Sequence, residues 1–317
     1  MNPFAGRLLA GAALVIGCAV AATLTPLWTY AVSLALFGLP HVLVELRYVD
    51  ERFAARLPRR TTAWLLLGLV CVAALRALTL VSLGDAGTRV TAELLVGAAS
   101  VALVLPLLAR SRATPFAVAV ALALIAGAWF TPVPTLVSLA LLHNLTPVGF
   151  LAERLRGPDR RRGLAFAALA FGAVPAVMLL APSAEPLLTG PLSTGHLDDH
   201  LPAFVPGPLL GSTFADRLFA AAAYLQCMHY AVVLGVLPRL STGERAGTLA
   251  PWPPRRAFGL AVLGLGAVAA LGFALDFVGT RSAYAMFAAV HAWIEIPVLV
   301  LACGVPARSR LEALVAT

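Results

Sequence analysis

Long apolar runs separated by short polar segments dominate this sequence. About 20 apolar residues span the hydrocarbon core of a bilayer as a helix, and ten runs have roughly that length. They cover residues 7–23, 27–46, 62–83, 90–109, 115–131, 134–152, 163–182, 216–238, 257–277 and 283–303. The pattern therefore predicts an all-α, polytopic membrane bundle of about ten transmembrane helices, forming a single transmembrane domain over residues 1–317.

Charge is sparse in this chain and falls mostly between the apolar runs. Hydrophobic residues make up 60% of the 317 residues and charged residues 12%, which excludes a soluble globular domain. All 23 basic residues are arginines, and 19 of them lie on one side of the bilayer when the runs pair as five hairpins. The positive-inside rule assigns that side to the cytoplasm. Because this rule explains the basic net charge, we expect no nucleic-acid partner.

The arginine pattern predicts that both termini are cytoplasmic, in a multi-pass protein of a bacterial-type inner membrane. The cytoplasmic loops then cover 47–61, 153–162 and 239–256, and one long outer loop rich in Pro and Gly covers 183–216. The first run follows Arg7 and resembles a signal peptide, but the hairpin pairing favours a retained helix. The four cysteines lie inside apolar runs at unrelated spacings, which indicates small buried side chains rather than disulfides.

Four of the six histidines fall inside predicted membrane helices, where ionisable groups are costly. They are His41, His143, His229 and His291. Their helices (the second, sixth, eighth and tenth) all cross the bilayer in the same direction. Because neutral imidazoles bind transition metals well, one metal ion is the simplest shared partner. The four histidines are therefore predicted to be metal ligands.

Polar neighbours of these histidines are predicted to complete the site. Glu45 and Glu295 each follow a histidine by one helical turn, so each is predicted to act in catalysis, either as a further ligand or by orienting its histidine. Gln226 precedes His229 by one turn and is predicted to hold that imidazole in one tautomer. Pro40 immediately precedes His41 and Pro147 lies one turn beyond the histidine of the sixth helix, so a bend is predicted at each proline.

Other polar residues have simpler predicted roles. Arg76 and Glu93 are expected to pair with each other near the outer surface. Trp28 and Tyr30 fit an aromatic belt at the membrane interface. In the outer loop, the segment 195–200 contains two histidines and two aspartates, and it predicts a solvated polar turn in preference to a cation site.

The segment Phe37-Gly38-Leu39-Pro40-His41-Val42-Leu43-Val44-Glu45 resembles a signature of the bacterial Brp/Blh family of membrane β-carotene 15,15′-dioxygenases. That family carries Gly-Leu-Pro-His, followed four residues later by an acidic residue. Gly38 to His41 match it, and Glu45 stands where the family usually has Asp. The resemblance implies a polytopic protein with four helix-borne histidines around an iron ion. It gives the ligand role directly to His41. The other three histidines are given the same role because together with His41 they make up the four that the family has.

The resemblance implies an iron-dependent dioxygenase that uses Fe(II), with dioxygen as co-substrate. Such an enzyme cleaves β-carotene to retinal, and a divergent member would act on another lipid. A lipophilic substrate would reach the site from the bilayer, so apolar and aromatic side chains would line it. The candidates for this lining are Phe37, Tyr224, Tyr230 and Trp293.

Two other functions fit the same residues. Histidine pairs that face each other across a bundle also ligate b-type haem, which would make the chain a membrane electron-transfer protein. Intramembrane histidines and glutamates also form proton relays in transporters, although the sequence shows neither inverted repeats nor paired broken helices. The carboxylates one turn after His41 and His291 favour a non-haem metal over haem.

Overall fold

A computed structural model describes residues 3–108, 111–181, 187–188, 190–191, 194–240 and 248–304. Parts of the predicted outer loop and of the third cytoplasmic loop lie outside the described residues. Four arginines that were assigned to the cytoplasmic side also lie outside them, namely Arg110, Arg245, Arg308 and Arg310.

Helices form all the regular structure of the described residues. There are thirteen α-helices in these ranges: α1 (Pro3–Leu24), α2 (Pro26–Phe53), α3 (Arg59–Leu80), α4 (Ala86–Val104), α5 (Thr114–Phe130), α6 (Pro132–His143), α7 (Thr146–Arg154), α8 (Gly157–Ala168), α9 (Val174–Leu180), α10 (Thr213–Gly235), α11 (Leu237–Leu240), α12 (Arg255–Leu275) and α13 (Phe277–Gly304). The predicted all-α class is confirmed for this part of the chain.

Seven described helical segments are long and apolar enough to cross a membrane, and an eighth is added if the bent pair α6 and α7 forms one span. Two shorter apolar helices, Leu9–Leu24 and Thr114–Phe130, occupy two further predicted runs. The chain is therefore a multi-pass membrane protein by length and composition.

Several helices extend beyond the apolar runs that predicted them. α2 continues to Phe53, so the first seven residues of the predicted loop 47–61 are helical. The predicted loop 153–162 shrinks to the two residues between α7 and α8. These connections are thus partly helical, because arginine and glutamate are good helix formers. A helix can therefore leave the hydrocarbon and continue in the interface without breaking its backbone hydrogen bonds.

The sixth predicted run is bent where Pro147 predicts it. α6 and α7 meet at an angle of 43° across a short break after His143. Proline has no N–H to donate to the carbonyl of the residue four positions earlier, which here is His143. The hydroxyl of Thr146 donates to that carbonyl oxygen at 2.8 Å instead. The break therefore leaves the carbonyl satisfied and ends α6 at a histidine.

The chain divides into two compact units, where the sequence predicted a single domain. The first unit comprises Met1–Tyr48, Val137–Thr242 and Trp252–Tyr284. In it, α10 packs against α1, α7 and α9. α10 contributes many buried side chains, which makes it the central helix of this unit.

The second unit comprises Val49–Leu136, Gly243–Pro251 and Ala285–Thr317. In it, α4 packs against α3 and α5. The expected pair of Arg76 and Glu93 is confirmed here, with Nη2 of the arginine 2.8 Å from Oε1 of the glutamate.

Candidate metal centre

Three of the predicted ligands converge inside the first unit. His41 lies on α2, His143 ends α6 and His229 lies on α10. Each offers one ring nitrogen, and these nitrogens all lie within 4.8 Å of one another. The ring centroids of His143 and His229 are 4.7 Å apart, and those of His41 and His229 are 5.2 Å apart. Three nitrogen donors at this spacing could hold one metal ion, as the sequence predicted.

The orientation of His41 is fixed from two sides. Its Nδ1 lies 3.1 Å from the carbonyl oxygen of Phe37, one turn earlier on α2. Because a carbonyl only accepts, Nδ1 carries the proton in this contact, which leaves the lone pair of Nε2 available in the neutral ring. The ring of Tyr230 lies against the imidazole, with centroids 4.2 Å apart and planes inclined by 32°.

Glu45 supports a histidine on another helix. Its Oε2 accepts a hydrogen bond from Nε2 of His229 at 3.2 Å, and both side chains are almost fully buried. Metal-bound histidines usually donate their second nitrogen to a carboxylate in this way. The other ring nitrogen of His229, Nδ1, is buried and has no hydrogen-bond partner in the described part of the chain. With the proton on Nε2, Nδ1 keeps its lone pair.

Gln226 does not hold His229 as the sequence predicted. Its Nε2 donates to the carbonyl oxygen of Tyr30 at 3.2 Å and to the hydroxyl of Ser33 at 2.8 Å. A side chain one turn away on the same helix shares a face with His229, but polar groups on α2 lie closer to its amide. Gln226 therefore links α10 to α2, and the carboxylate of Glu45 takes the position beside the imidazole.

His291 and Glu295 lie in the second unit, on α13, and both are buried. Nδ1 of His291 lies 3.4 Å from the carbonyl oxygen of Phe287, one turn earlier. α13 thus repeats locally what α2 does around His41: a phenylalanine four residues before the histidine, a glutamate four residues after it, and Nδ1 directed at the phenylalanine carbonyl. The predicted ligand role of His291 and the predicted catalytic role of Glu295 stay predictions.

The four residues predicted to line a substrate site have different positions. Phe37 is 45% exposed on α2, which suits a side chain that faces lipid. Tyr230 lies against the imidazole of His41. Its predicted place in a substrate lining stays a prediction. Tyr224 is buried and donates its hydroxyl to the carbonyl oxygen of Ala170 at 2.7 Å. The hydroxyl thus has the partner that a buried tyrosine requires, within its own unit, and the predicted place of Tyr224 in a substrate lining stays a prediction.

Trp293 is hydrogen-bonded within the second unit. Its Nε1–H donates to Oε1 of Glu93 at 2.8 Å, the same oxygen that accepts from Arg76. A Cβ built on Gly97 would overlap the indole ring, so the tryptophan fills the space that this glycine leaves on α4. The indole therefore makes a hydrogen-bonded contact between α13 and α4, and its predicted place in a substrate lining stays a prediction.

Sequence reasoning missed one aromatic residue near the cluster. Tyr284 on α13 donates its hydroxyl to the carbonyl oxygen of Gly38 at 3.3 Å, one turn before His41. Its side chain also interacts with that of Tyr230. A tyrosine inside an apolar run was the available signal, because its hydroxyl must find a partner in the bundle.

The outer end of the first unit differs from its prediction. Trp28 is partly exposed, as an interfacial residue would be, but Tyr30 is only 3% exposed and lies among other aromatic rings. In the outer loop His196 is exposed, whereas His200 is buried, so the segment is not a wholly solvated turn. Both ring nitrogens of His200 contact protein groups, Thr194 and Arg281, which argues against a cation site there.

Comparisons of the chain with protein-family models, with curated proteins and with solved structures each found no match. The resemblance to the Brp/Blh family therefore rests on the segment 37–45 and on the histidines themselves.

Proposed function

We propose that this chain is a membrane-embedded non-haem iron oxygenase that acts on a hydrophobic isoprenoid. Oxidative cleavage of β-carotene to retinal is the reaction that the segment 37–45 implies. The observation that carries the proposal is the convergence of His41, His143 and His229, whose donor nitrogens lie within 4.8 Å of one another beside the carboxylate of Glu45.

The donor set fits a non-haem ion. Imidazole nitrogens suit Fe(II), and three of them leave coordination positions open. The buried, unbonded Nδ1 of His229 is the kind of polar atom that a bound cation satisfies. When bound, iron supplies the redox chemistry that joins dioxygen to a carbon–carbon double bond.

The protein's own groups would orient the ligands and keep water away. The Phe37 carbonyl and the Tyr230 ring hold His41, and the Glu45 carboxylate holds His229. His41 and His229 are almost fully buried and His143 is half-buried, so most of the donor cluster is shielded from water. Such exclusion protects reactive species from side reactions, and it suits a substrate that arrives from the bilayer.

The direct contact between rings favours a single ion over haem. A porphyrin is a flat macrocycle that lies between its two axial ligands. The rings of His143 and His229 are in contact at 4.7 Å, and His41 approaches the same point from a third helix. Three converging donors would leave one histidine without a role in a haem site.

The test combines metal analysis with an activity assay. We expect the purified protein to retain iron without a Soret band, and cells that accumulate β-carotene to lose their orange colour and form retinal when they express it. A matched variant, His196→Ala, changes an exposed histidine of the outer loop and is expected to act like the wild type. A strong Soret band would establish the haem alternative, and a folded protein that binds no metal would favour the proton relay. If cells that contain the iron-loaded protein stay orange, the carotenoid substrate is rejected but the iron site is not.

We further propose that all ten apolar runs span an inner membrane, with both termini in the cytoplasm. The support is the placement of 19 of the 23 arginines on one side of the five hairpins. Reporter fusions test it: green fluorescent protein joined after Gly157 is expected to fluoresce, and alkaline phosphatase joined after Gly211 is expected to be active. The reverse pattern at either position would contradict this topology.

A further inference from the structure

One segment of the outer loop, Thr194–Ser212, folds back onto the first unit. Its apolar side chains Leu201 and Val205 are buried, and the ring of Phe204 packs edge-on against those of Tyr30 and Phe219. The segment is thus held against α2 and α10 by apolar contacts, and not only tethered at its ends. We call it the outer cap.

A single buried histidine joins the cap to α13. His200 is only 1% exposed, and its Nδ1 lies 2.7 Å from Nη1 of Arg281. A guanidinium only donates, so Nδ1 must be the acceptor and cannot carry a proton. The second nitrogen, Nε2, then carries the proton and donates to the carbonyl oxygen of Thr194 at 2.8 Å. We call the cap closed when it lies against the first unit in this way. The closed cap requires the neutral form of His200, with the proton on Nε2.

We infer that the outer cap is an acid-released latch, with His200 as the group that senses pH. Protonation of Nδ1 would remove the acceptor for Arg281 and place two positive charges in contact. Histidine is the side chain that changes charge near neutral pH, so a modest acidification is sufficient.

The groups around His200 decide the direction of this response. Arg281 faces it from α13 and Tyr30 from α2, while Asp199 belongs to the cap itself. The ring of Phe277 also lies against the imidazole, with centroids 5.7 Å apart. Only Asp199 favours the protonated imidazole by its charge, and its Oδ2 already accepts from the backbone N–H of His196.

Burial lowers the pKa of His200 below its ordinary value of 6.5, and the charge of Arg281 lowers it further. The hydrogen bond to Thr194 and the charge of Asp199 act in the opposite direction. Because the pKa is lower in the closed cap than in the open one, the open state binds more protons. Closure is therefore fully stable above the ordinary pKa and loses stability as the pH falls toward the lowered one.

Hydrogen exchange of the full-length protein tests the latch. After correction for intrinsic exchange, we expect amide protection within 197–212 to fall about tenfold or more between roughly pH 7.5 and roughly pH 5.0, and protection in α4 to stay constant. His200→Gln retains an acceptor and a donor but does not titrate, so its cap should stay protected at both pH values. His196→Gln is the matched control and should respond like the wild type.

Two results would overturn the inference. The first is equal protection of the wild-type cap at both pH values, and the second is a folded His200→Gln variant whose cap opens in acid as the wild type does. If that variant does not fold, the same measurement on Arg281→Met tests the latch. Removal of the guanidinium abolishes the repulsion of a protonated imidazole, so the ratio of protection between the two pH values should shrink. An unchanged ratio would contradict the latch.

Discussion

The carboxylate of Glu45 and the imidazole of His229 lie 3.2 Å apart, across two helices whose residues are separated by 184 positions in sequence. Both side chains are almost completely buried. Burial of ionisable groups in a membrane protein costs free energy that pairing offsets only in part, so such pairs usually mark functional sites. The pair stands beside the rings of His41 and His143, and the carboxylate engages Nε2 of His229, which leaves Nδ1 as the nitrogen that the proposed metal ion would use.

Removal of the Glu45 charge should weaken metal binding without abolishing the fold. Outer partners of metal-bound histidines typically contribute 10–100-fold to metal affinity, so we expect Glu45→Gln to weaken iron binding by about that factor. Equilibrium metal competition with a chelator measures the change. Glu51→Gln changes a second glutamate of α2 and should bind iron as the wild type does. Wild-type affinity in Glu45→Gln would show that the carboxylate does not support a metal ligand.

Gln226 should matter for stability but not for metal content. It links α10 to α2 through Tyr30 and Ser33, and intramembrane hydrogen bonds contribute roughly 0.6–1.7 kcal/mol each. We therefore expect Gln226→Leu to lower the free energy of unfolding by about 1–2 kcal/mol in mixed detergent micelles. Loss of the metal from a folded Gln226→Leu protein would instead restore the role that the sequence predicted for this side chain.

Gly97 should not tolerate a methyl group, because the ring of Trp293 occupies the space above it. Overpacking of this kind typically costs about 1–3 kcal/mol of folding free energy. Gly97→Ala should therefore unfold at a lower concentration of denaturing detergent than the wild type. Gly264→Ala is the matched control, since a Cβ there has no neighbour within 4 Å in the described part of the chain. Equal stability of the two variants would mean that α4 and α13 do not pack as closely as the structure has them.

The roles predicted for α13 need their own test. His291→Ala should lower the metal content of the purified protein, because Phe287, His291 and Glu295 repeat the local arrangement around His41. Glu295→Gln should lower the catalytic rate or the metal affinity. Full metal content in His291→Ala would remove this histidine from the ligand set and leave the three histidines of the first unit.

The sequence predicted the helical class and the bend after His143 because both depend on local chemistry, whereas α2 runs through Pro40 as one helix. Apolar length located the helices, and Pro147 located the bend after His143 because a missing N–H acts within one turn. The ends of α2 and α7 were not predictable from hydropathy, since a helix with charged side chains can continue into water. The π-helical turn at Leu169–Ala173 also had no clear signal in the apolar pattern.

Partners across helices were the part that local reasoning could not supply. Helical periodicity put Gln226 beside His229 and Glu45 beside His41, since residues one turn apart share a face. It contains no information about which helix lies opposite, so the contact between Glu45 and His229 stayed hidden. The same limit applies to Tyr224, for which a place in a lining and a hydrogen bond to Ala170 are equally compatible with the sequence.

The most direct test of the metal centre is the iron content of four single variants measured beside the wild type. His41→Ala, His143→Ala and His229→Ala each remove one of the converging nitrogens, whereas His196→Ala removes an exposed imidazole from the outer loop. We expect stoichiometric iron in the wild type and in His196→Ala, and little or none in the other three, with all five proteins folded by circular dichroism. Full iron content in any one of the three would remove that histidine from the site, and full content in all three would contradict the metal centre itself.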